Sequence, residues 1–257
     1  MRLLRYYMVY RALVRAKVAA LRAAQSDVPP AAREPLQATC RAHLALAHQL
    51  ATSERPVLMI MHGLSGSGKT ALSQTVLQAI GAIRIRSDVE RKRLHGVGEA
   101  APSGSAVDGG IYTAAAGAAT YRRVAQMAAH AIEAGFPVVV DAAFLERARR
   151  DQFRALASAL GCPFAILHAE APDAVLRARI AQRASAACDA SEATIAVLDR
   201  QIAMQDPLSA EELVHCAVFS TDRIDDADVA RRVHALLERL APRAPGDHGS
   251  QLRDALI

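Results

Sequence analysis

The chain has 257 residues, 52% of them hydrophobic, with four cysteines and no tryptophan. That is enough apolar material for a full core, which excludes wholesale disorder. The net charge of +5 is local: residues 1–55 carry nine basic and three acidic side chains, the rest 22 and 23, so the main body is not a broad nucleic-acid-binding face.

Residues 1–25 place Leu3, Tyr7, Tyr10, Val14 and Leu21 at alternating three- and four-residue steps, which predicts an amphipathic helix. Arg5 and Arg11 interrupt any signal-peptide core, and no stretch approaches the ~20 apolar residues of a membrane span. A cytoplasmic protein with no membrane partner is expected. "SDVPPAAREP" breaks the helix, and residues 36–52 predict a second one. Residues 1–55 thus form a helical appendage, expected to be a hairpin packed on the main domain. The competing reading is a docking surface, for a partner protein at helices 1–50 or for a membrane.

From Pro56 onward, short apolar runs alternate with helical patterns. Strands are predicted at 57–61, 82–86, 137–141, 164–168 and 214–219, and helices at 69–80, 111–134, 146–160, 172–183, 192–204 and 225–240. This alternation predicts a three-layer α/β sandwich over 56–241, with a five-stranded, mainly parallel sheet and a helical lid at about 179–204. Residues 96–109, rich in Gly, Ser and Pro, predict a mobile loop, and 242–257 a flexible tail. Cys40, Cys162, Cys188 and Cys216 have no zinc-type spacing and are expected to be reduced and mostly buried.

Between the first strand and its helix lies "HGLSGSGKT". Gly63, four intervening residues, then Gly68-Lys69-Thr70 match the P-loop pattern, with Ser65, Gly66 and Ser67 inside it. Glycines let successive backbone N–H groups converge on phosphate oxygens, and the following helix adds the positive end of its dipole. Lys69 is then expected on the β- and γ-phosphates of ATP, and the Thr70 hydroxyl on Mg²⁺. Asp141 ends the run "PVVVD" as a candidate Walker B carboxylate for the same ion; its alternative is to cap the next loop. His62 is expected to pack at a strand end.

"IRIRSDVERKRL" places Asp88 just beyond the second strand, on the edge that carries the P-loop. There it is a candidate general base for an acceptor hydroxyl, or the N-cap of "VERKRL". Arg86 is a candidate for holding substrate or phosphate, while Arg91, Lys92 and Arg93 read as a solvated face, the alternative being that one of them contacts an anionic substrate. Arg179 and Arg183, four residues apart, share a helix face in the predicted lid. They either neutralise the transferred phosphoryl group or are solvated. Tyr112 and Tyr121 are expected in core packing rather than stacked on substrate.

Three classes of P-loop protein compete. The chain contains no Asn, so the Asn-Lys-x-Asp guanine motif of GTPases is absent. Ala142 follows Asp141 where a motor ATPase commonly has Glu, which disfavours a motor. A kinase remains, with a small-molecule acceptor favoured over nucleic-acid ends because the main domain is near neutral. A nucleotide-binding regulator with little turnover is the alternative outside the enzymes.

With these residues in view, "GLSGSGKT", "RIRSDVERKRL", "VVVDAAFLERARRDQFRALA" and "DASEATIAVLDRQ" resemble the ATP-binding module of bacterial bifunctional aminoglycoside phosphotransferase/ATP-binding proteins. That module is similar to polynucleotide kinase, gluconate kinase and zeta toxins. The resemblance spans about residues 56–240 and implies Lys69 and Thr70 as nucleotide and metal contacts, and Asp141 as the Walker B carboxylate. It further implies Asp88 as the base that activates the acceptor, and Arg179 and Arg183 as lid arginines on phosphate. Residues 1–50 resemble the last helices of the phosphotransferase-like domain that precedes the module. That domain's own nucleotide lobe and catalytic loop are not matched, so aminoglycoside phosphorylation by it is not expected.

Overall fold

A computed structural model describes residues 3–52, 56–99, 101–105, 109–186 and 193–241. The hairpin comprises α1 (Leu4–Ala23) and α2 (Pro30–Thr52). The main domain then runs β1 (Leu58–His62), α3 (Lys69–Ile80), β2 (Ile83–Arg86), α4 (Ser87–Leu94), a 3-10 turn at Gly110–Tyr112 and α5 (Ala114–Glu133). It continues with β3 (Val138–Asp141), α6 (Arg147–Ala159), β4 (Phe164–Glu170), α7 (Asp173–Ala186), α8 (Ile195–Met204), α9 (Ala210–Val214), β5 (Cys216–Ser220) and α10 (Asp226–Leu240).

All five strands are parallel, in the order β2-β3-β1-β4-β5. Ile60 of β1 sits opposite Val140 of β3 and Ile166 of β4. Because side chains alternate along a strand, the sheet builds two cores. Leu58, Ile60, Val138, Val140 and Ile166 meet Val124, Ala128 and Phe153 of α5 and α6. Met59, Met61, Val139 and Leu167 meet Leu72 and Val76 of α3 and Val229 and Val233 of α10. With helices on both faces, β1 and β3 are buried throughout, which is why they read as unbroken apolar runs. The carboxyl ends of β1, β2 and β3 are left as one edge, where ligands bind in such sheets.

Two expectations for the appendage are corrected. The second helix starts at Pro30, not residue 36: Pro suits the first helical position, and Pro35 lies inside the helix, only five residues from its start. More consequentially, the large apolar stripe of α1 does not pack. Leu3, Tyr7, Tyr10 and Leu21 are 67%, 56%, 54% and 58% exposed, and the buried residues of α1 are Ala12, Ala16 and Ala19. The alanines lie on the opposite side of the helix and let α1 approach α2 closely, so the small residues make the contact. The hairpin is tied to the main domain through Arg5, which donates to Leu50 O and Gly135 O and lies over the Phe136 ring.

Residues 96–99 and 101–105 have no regular structure, as expected, but they are anchored. The buried Lys92 amine donates to Glu99 O and Ala101 O, which replaces its expected place on a solvated face. Residues 100, 106–108, 187–192 (within the lid, with Cys188) and the 242–257 tail lie outside the described residues. Cys40, Cys162 and Cys216 are free and half-buried rather than buried. No helix among the described residues is long and apolar enough to cross a membrane.

Candidate active site

The P-loop takes the shape its glycines allow. Gly63, Gly66 and Gly68 have φ of +139°, +84° and +80°, in the region that side-chain-bearing residues rarely enter. A Cβ on Gly66 would lie 2.7 Å from Leu176 O, and one on Gly63 2.3 Å from Ala169 O, so the loop is closed to any other residue at these points. The loop is tied at both ends: Gly63 N–H donates to Ala143 O, and Thr221 Oγ1 donates to Ser67 O. Gly68 precedes α3 without a side-chain cap, so the first-turn N–H groups of α3 are presented to an anion. This uncapped, glycine-rich turn fits a phosphate tail. Lys69 Nζ donates to the loop carbonyls of Gly63 and Leu64, at 3.0 and 2.7 Å. Burial pushes the amine down to about 8, with Arg183 acting in the same direction and Asp141 and Asp88 opposing it.

Asp141 ends β3 opposite Arg86 of β2 and is 7% exposed. Its Oδ2 accepts from Ser73 Oγ at 3.4 Å and lies 3.8 Å from Arg86 Nε. Thr70 and Asp141 line the same cavity beside Lys69, an oxygen donor set suited to a hard divalent ion. Among the described residues there is no compact His, Cys, Asp and Glu cluster of the kind that holds a metal by protein ligands alone. A P-loop ion differs, since substrate phosphates supply most of its ligands.

Asp88 occupies the second position of α4, whose N-cap is Arg86, so the capping alternative does not hold. Asp88 lines the cavity, and burial raises its pKa above the usual carboxylate range against the pull of Arg91. Arg179, expected either on phosphate or in solvent, lines the cavity and also grips the loop. It donates to Gly66 O at 3.3 Å, and to Thr221 Oγ1 and Thr221 O at 3.1 and 2.6 Å. Arg183 lines the cavity one turn further along α7. Helix α8 adds Gln201, whose Oε1 accepts from Ser65 N–H at 2.8 Å. A cavity of about 850 Å³ joins P-loop, Asp88, Asp141, lid arginines and both tyrosines.

Several residues emerge that the sequence did not single out. Thr221, just past β5, and Gln201 of α8 brace the P-loop. Arg150, 1% exposed, pairs with Glu212 and donates to Phe144 O and Leu145 O, holding the turn after Asp141. In that turn Phe144 adopts φ +48°, a strained value for a bulky residue. His62 packs at a strand end as expected, with Nδ1 2.7 Å from His168 Nδ1. Burial, with His168, pushes it down to about 3, so it stays neutral and is no proton shuttle near pH 7. Tyr121 is held in the core against Phe144 and Phe153, yet both Tyr121 and Tyr112 also wall the cavity.

Strand order, phosphate-type loop and the carboxylates at the sheet's edge define a nucleotide-binding α/β protein with the P-loop kinase fold. Residues 58–208 match the AAA domain family AAA_33, and the chain belongs to that family. The uncharacterized protein Rv2004c of Mycobacterium tuberculosis is 30% identical over 193 residues, and a Mycobacterium bovis protein, Mb2027c, matches equally. The match takes in 75% of this chain but 38% of either relative's length. Among solved structures, the Mycobacterium tuberculosis APS kinase CysC in complex with AMPPNP and APS superposes with TM-score 0.52 at 21% identity, covering 72% of this chain and 98% of that one. A Sinorhizobium meliloti gluconokinase gives 0.51 at 23%, over 73% and 95%. A sugar kinase from Janibacter gives 0.52 at 20%, over 74% and 97%. At these identities the likeness establishes the fold.

Proposed function

We propose that this chain is an ATP-dependent kinase that transfers the γ-phosphoryl group to a hydroxyl of a small molecule. The observation that carries the reading is the placement of Asp88 in one cavity with Lys69 and the P-loop, at the carboxyl edge of adjoining strands. The P-loop amides and Lys69 bind and orient the triphosphate, and Arg183 adds positive charge over it. The acceptor oxygen forms its bond to the γ-phosphorus as the bond to the β–γ bridging oxygen breaks. The hydroxyl proton passes to the Asp88 carboxylate, and ADP leaves. Thr70 and Asp141 would hold a Mg²⁺ ion, which neutralises charge on the phosphate oxygens when bound. Helices α7 and α8, packed together through Leu176, Ile180 and Leu198, wall one side of the cavity.

The motif resemblance to the ATP-binding half of bifunctional phosphotransferase/ATP-binding proteins belongs to the same proposal, supported by relatives of much greater length. The competing reading, a nucleotide-binding regulator docked on a partner protein, draws on the exposed outward face of α1. Calorimetric ATP binding combined with an ADP-release assay over a metabolite library separates the two. Acceptor-stimulated ADP release supports the kinase. Tight magnesium-dependent ATP binding with no acceptor-stimulated release supports the regulator.

A further inference from the structure

Two arginines, Arg91 and Arg149, line the cavity that also holds Asp88. Arg91 lies over the Tyr112 ring at 5.1 Å, and Arg149 over the Tyr121 ring at 4.8 Å. They come from α4 and α6, on different sides of the site, yet both act on the Tyr121 hydroxyl, where their charge opposes the upward push of burial. Both have few partners among the described residues. Arg91 donates one long bond, 3.4 Å to Ile111 O, and its Nε is buried with no partner among the described residues. Arg149 makes no side-chain hydrogen bond among the described residues, and its ionic contact is Glu146 Oε2 at 3.8 Å, a carboxylate that is 68% exposed. A buried guanidinium donor without an acceptor is costly, so such a group marks where a ligand atom completes the bonding.

Among the described residues lining the cavity, Arg91 and Arg149 are seated on its tyrosine rings. Aromatic stacking pre-orients each guanidinium plane, and a fixed guanidinium fork matches an oxyanion.

We propose that the phosphoryl acceptor carries an oxyanion of its own, a carboxylate, phosphate or sulfate, held between Arg149 and Arg91 so that its hydroxyl lies at Asp88. The inference rests on the kinase reading above, and its test separates the two. A bacterial small-molecule extract is split on an anion-exchange resin at pH 7, and each fraction is incubated with the full chain, Mg²⁺ and γ-labelled ATP. Label is expected to enter a product from the retained fraction alone. Arg149→Gln is expected to raise KM for that acceptor at least ~10-fold, with kcat within about threefold and ATP affinity unchanged, and Arg149→Lys to recover part of the loss. Product from the unretained fraction alone, or an unchanged KM in Arg149→Gln, overturns the anionic acceptor and leaves the kinase standing. Tight ATP binding with no product from either fraction overturns the kinase reading itself. With the acceptor identified, matched carboxylate, phosphate and sulfate analogues rank the three oxyanions.

Discussion

Replacing Arg150 by Met tests whether a buried ion pair holds the turn behind the nucleotide site. Arg150 Nε lies 2.5 Å from Glu212 Oε1 and NH2 3.2 Å from Oε2, with the side chains 1% and 5% exposed. The guanidinium also donates to Asp206 O and Pro207 O, at 3.2 and 3.3 Å. Met keeps the apolar volume but leaves the buried Glu212 charge without the Arg150 counter-charge. Removing one partner of such a pair costs about 3–5 kcal/mol. At roughly 2–4 °C per kcal/mol for a domain of this size, Tm is expected to fall by about 6–20 °C. Glu212→Gln in the same chain removes the stranded charge, and its side-chain oxygen still accepts from Ser209 N–H in the capping box. The double variant is therefore expected to regain at least ~2 kcal/mol over Arg150→Met alone. Urea melts followed by circular dichroism, without nucleotide, read both changes. A single variant within ~1 kcal/mol of wild type, or a double variant no more stable than the single, would refute the reasoning.

Asp88→Asn is expected to leave ATP affinity nearly intact and reduce phosphoryl transfer ~10²-fold or more. Because Asp88 titrates above the usual carboxylate range, wild-type kcat/KM should fall on acidification at a pH above that range, and the variant's residual activity should lack this limb. For Lys69, the nucleotide-free pKa near 8 sets the alkaline behaviour. The amine must be charged to hold phosphate, so ATP affinity should decline as pH rises through 8, by up to ~10-fold per unit; a flat calorimetric profile from pH 7 to about 9.5 contradicts this. On stability the sign is opposite. The folded pKa is below the unfolded 10.5, so between about 8 and 10.5 the unfolded chain binds more protons, and this group's contribution becomes more favourable as pH rises. Gly66→Ala should abolish measurable ATP binding, since its Cβ would meet the Leu176 backbone; retained affinity in a titration would contradict the loop geometry. Replacing Leu3, Tyr7 and Tyr10 together by Ser should change stability little, ~0.5 kcal/mol or less per site, because nothing among the described residues covers them; a large loss in a urea melt would place them in a packed face.

Much of the site was legible because it is written in local pattern. The glycine loop, the apolar runs and the helical periods are short-range properties, and α3 begins and ends where the sequence placed it. Once the strands are parallel, chain direction alone brings Lys69, Asp88 and Asp141 to one edge, so those residues needed no knowledge of packing. The five-residue α9 went unseen because so short a helix has no period to read. The α1 stripe was misplaced because periodicity ranks faces by the size of their side chains, while the helix packed through its alanines.

What the tertiary structure decided are the pairings between distant segments. Arg150 meets Glu212 across 62 residues, Arg179 meets Thr221 across 42, and Ser65 meets Gln201 across 136. Arg149 on Tyr121 and Arg91 on Tyr112 depend on how α5 and the loop before it sit against α6 and α4. No arginine announces its partner in sequence, since a long charged side chain is as compatible with solvent as with a buried carboxylate. Strand order and helix packing choose between the two, and those choices arise only when the whole sheet assembles.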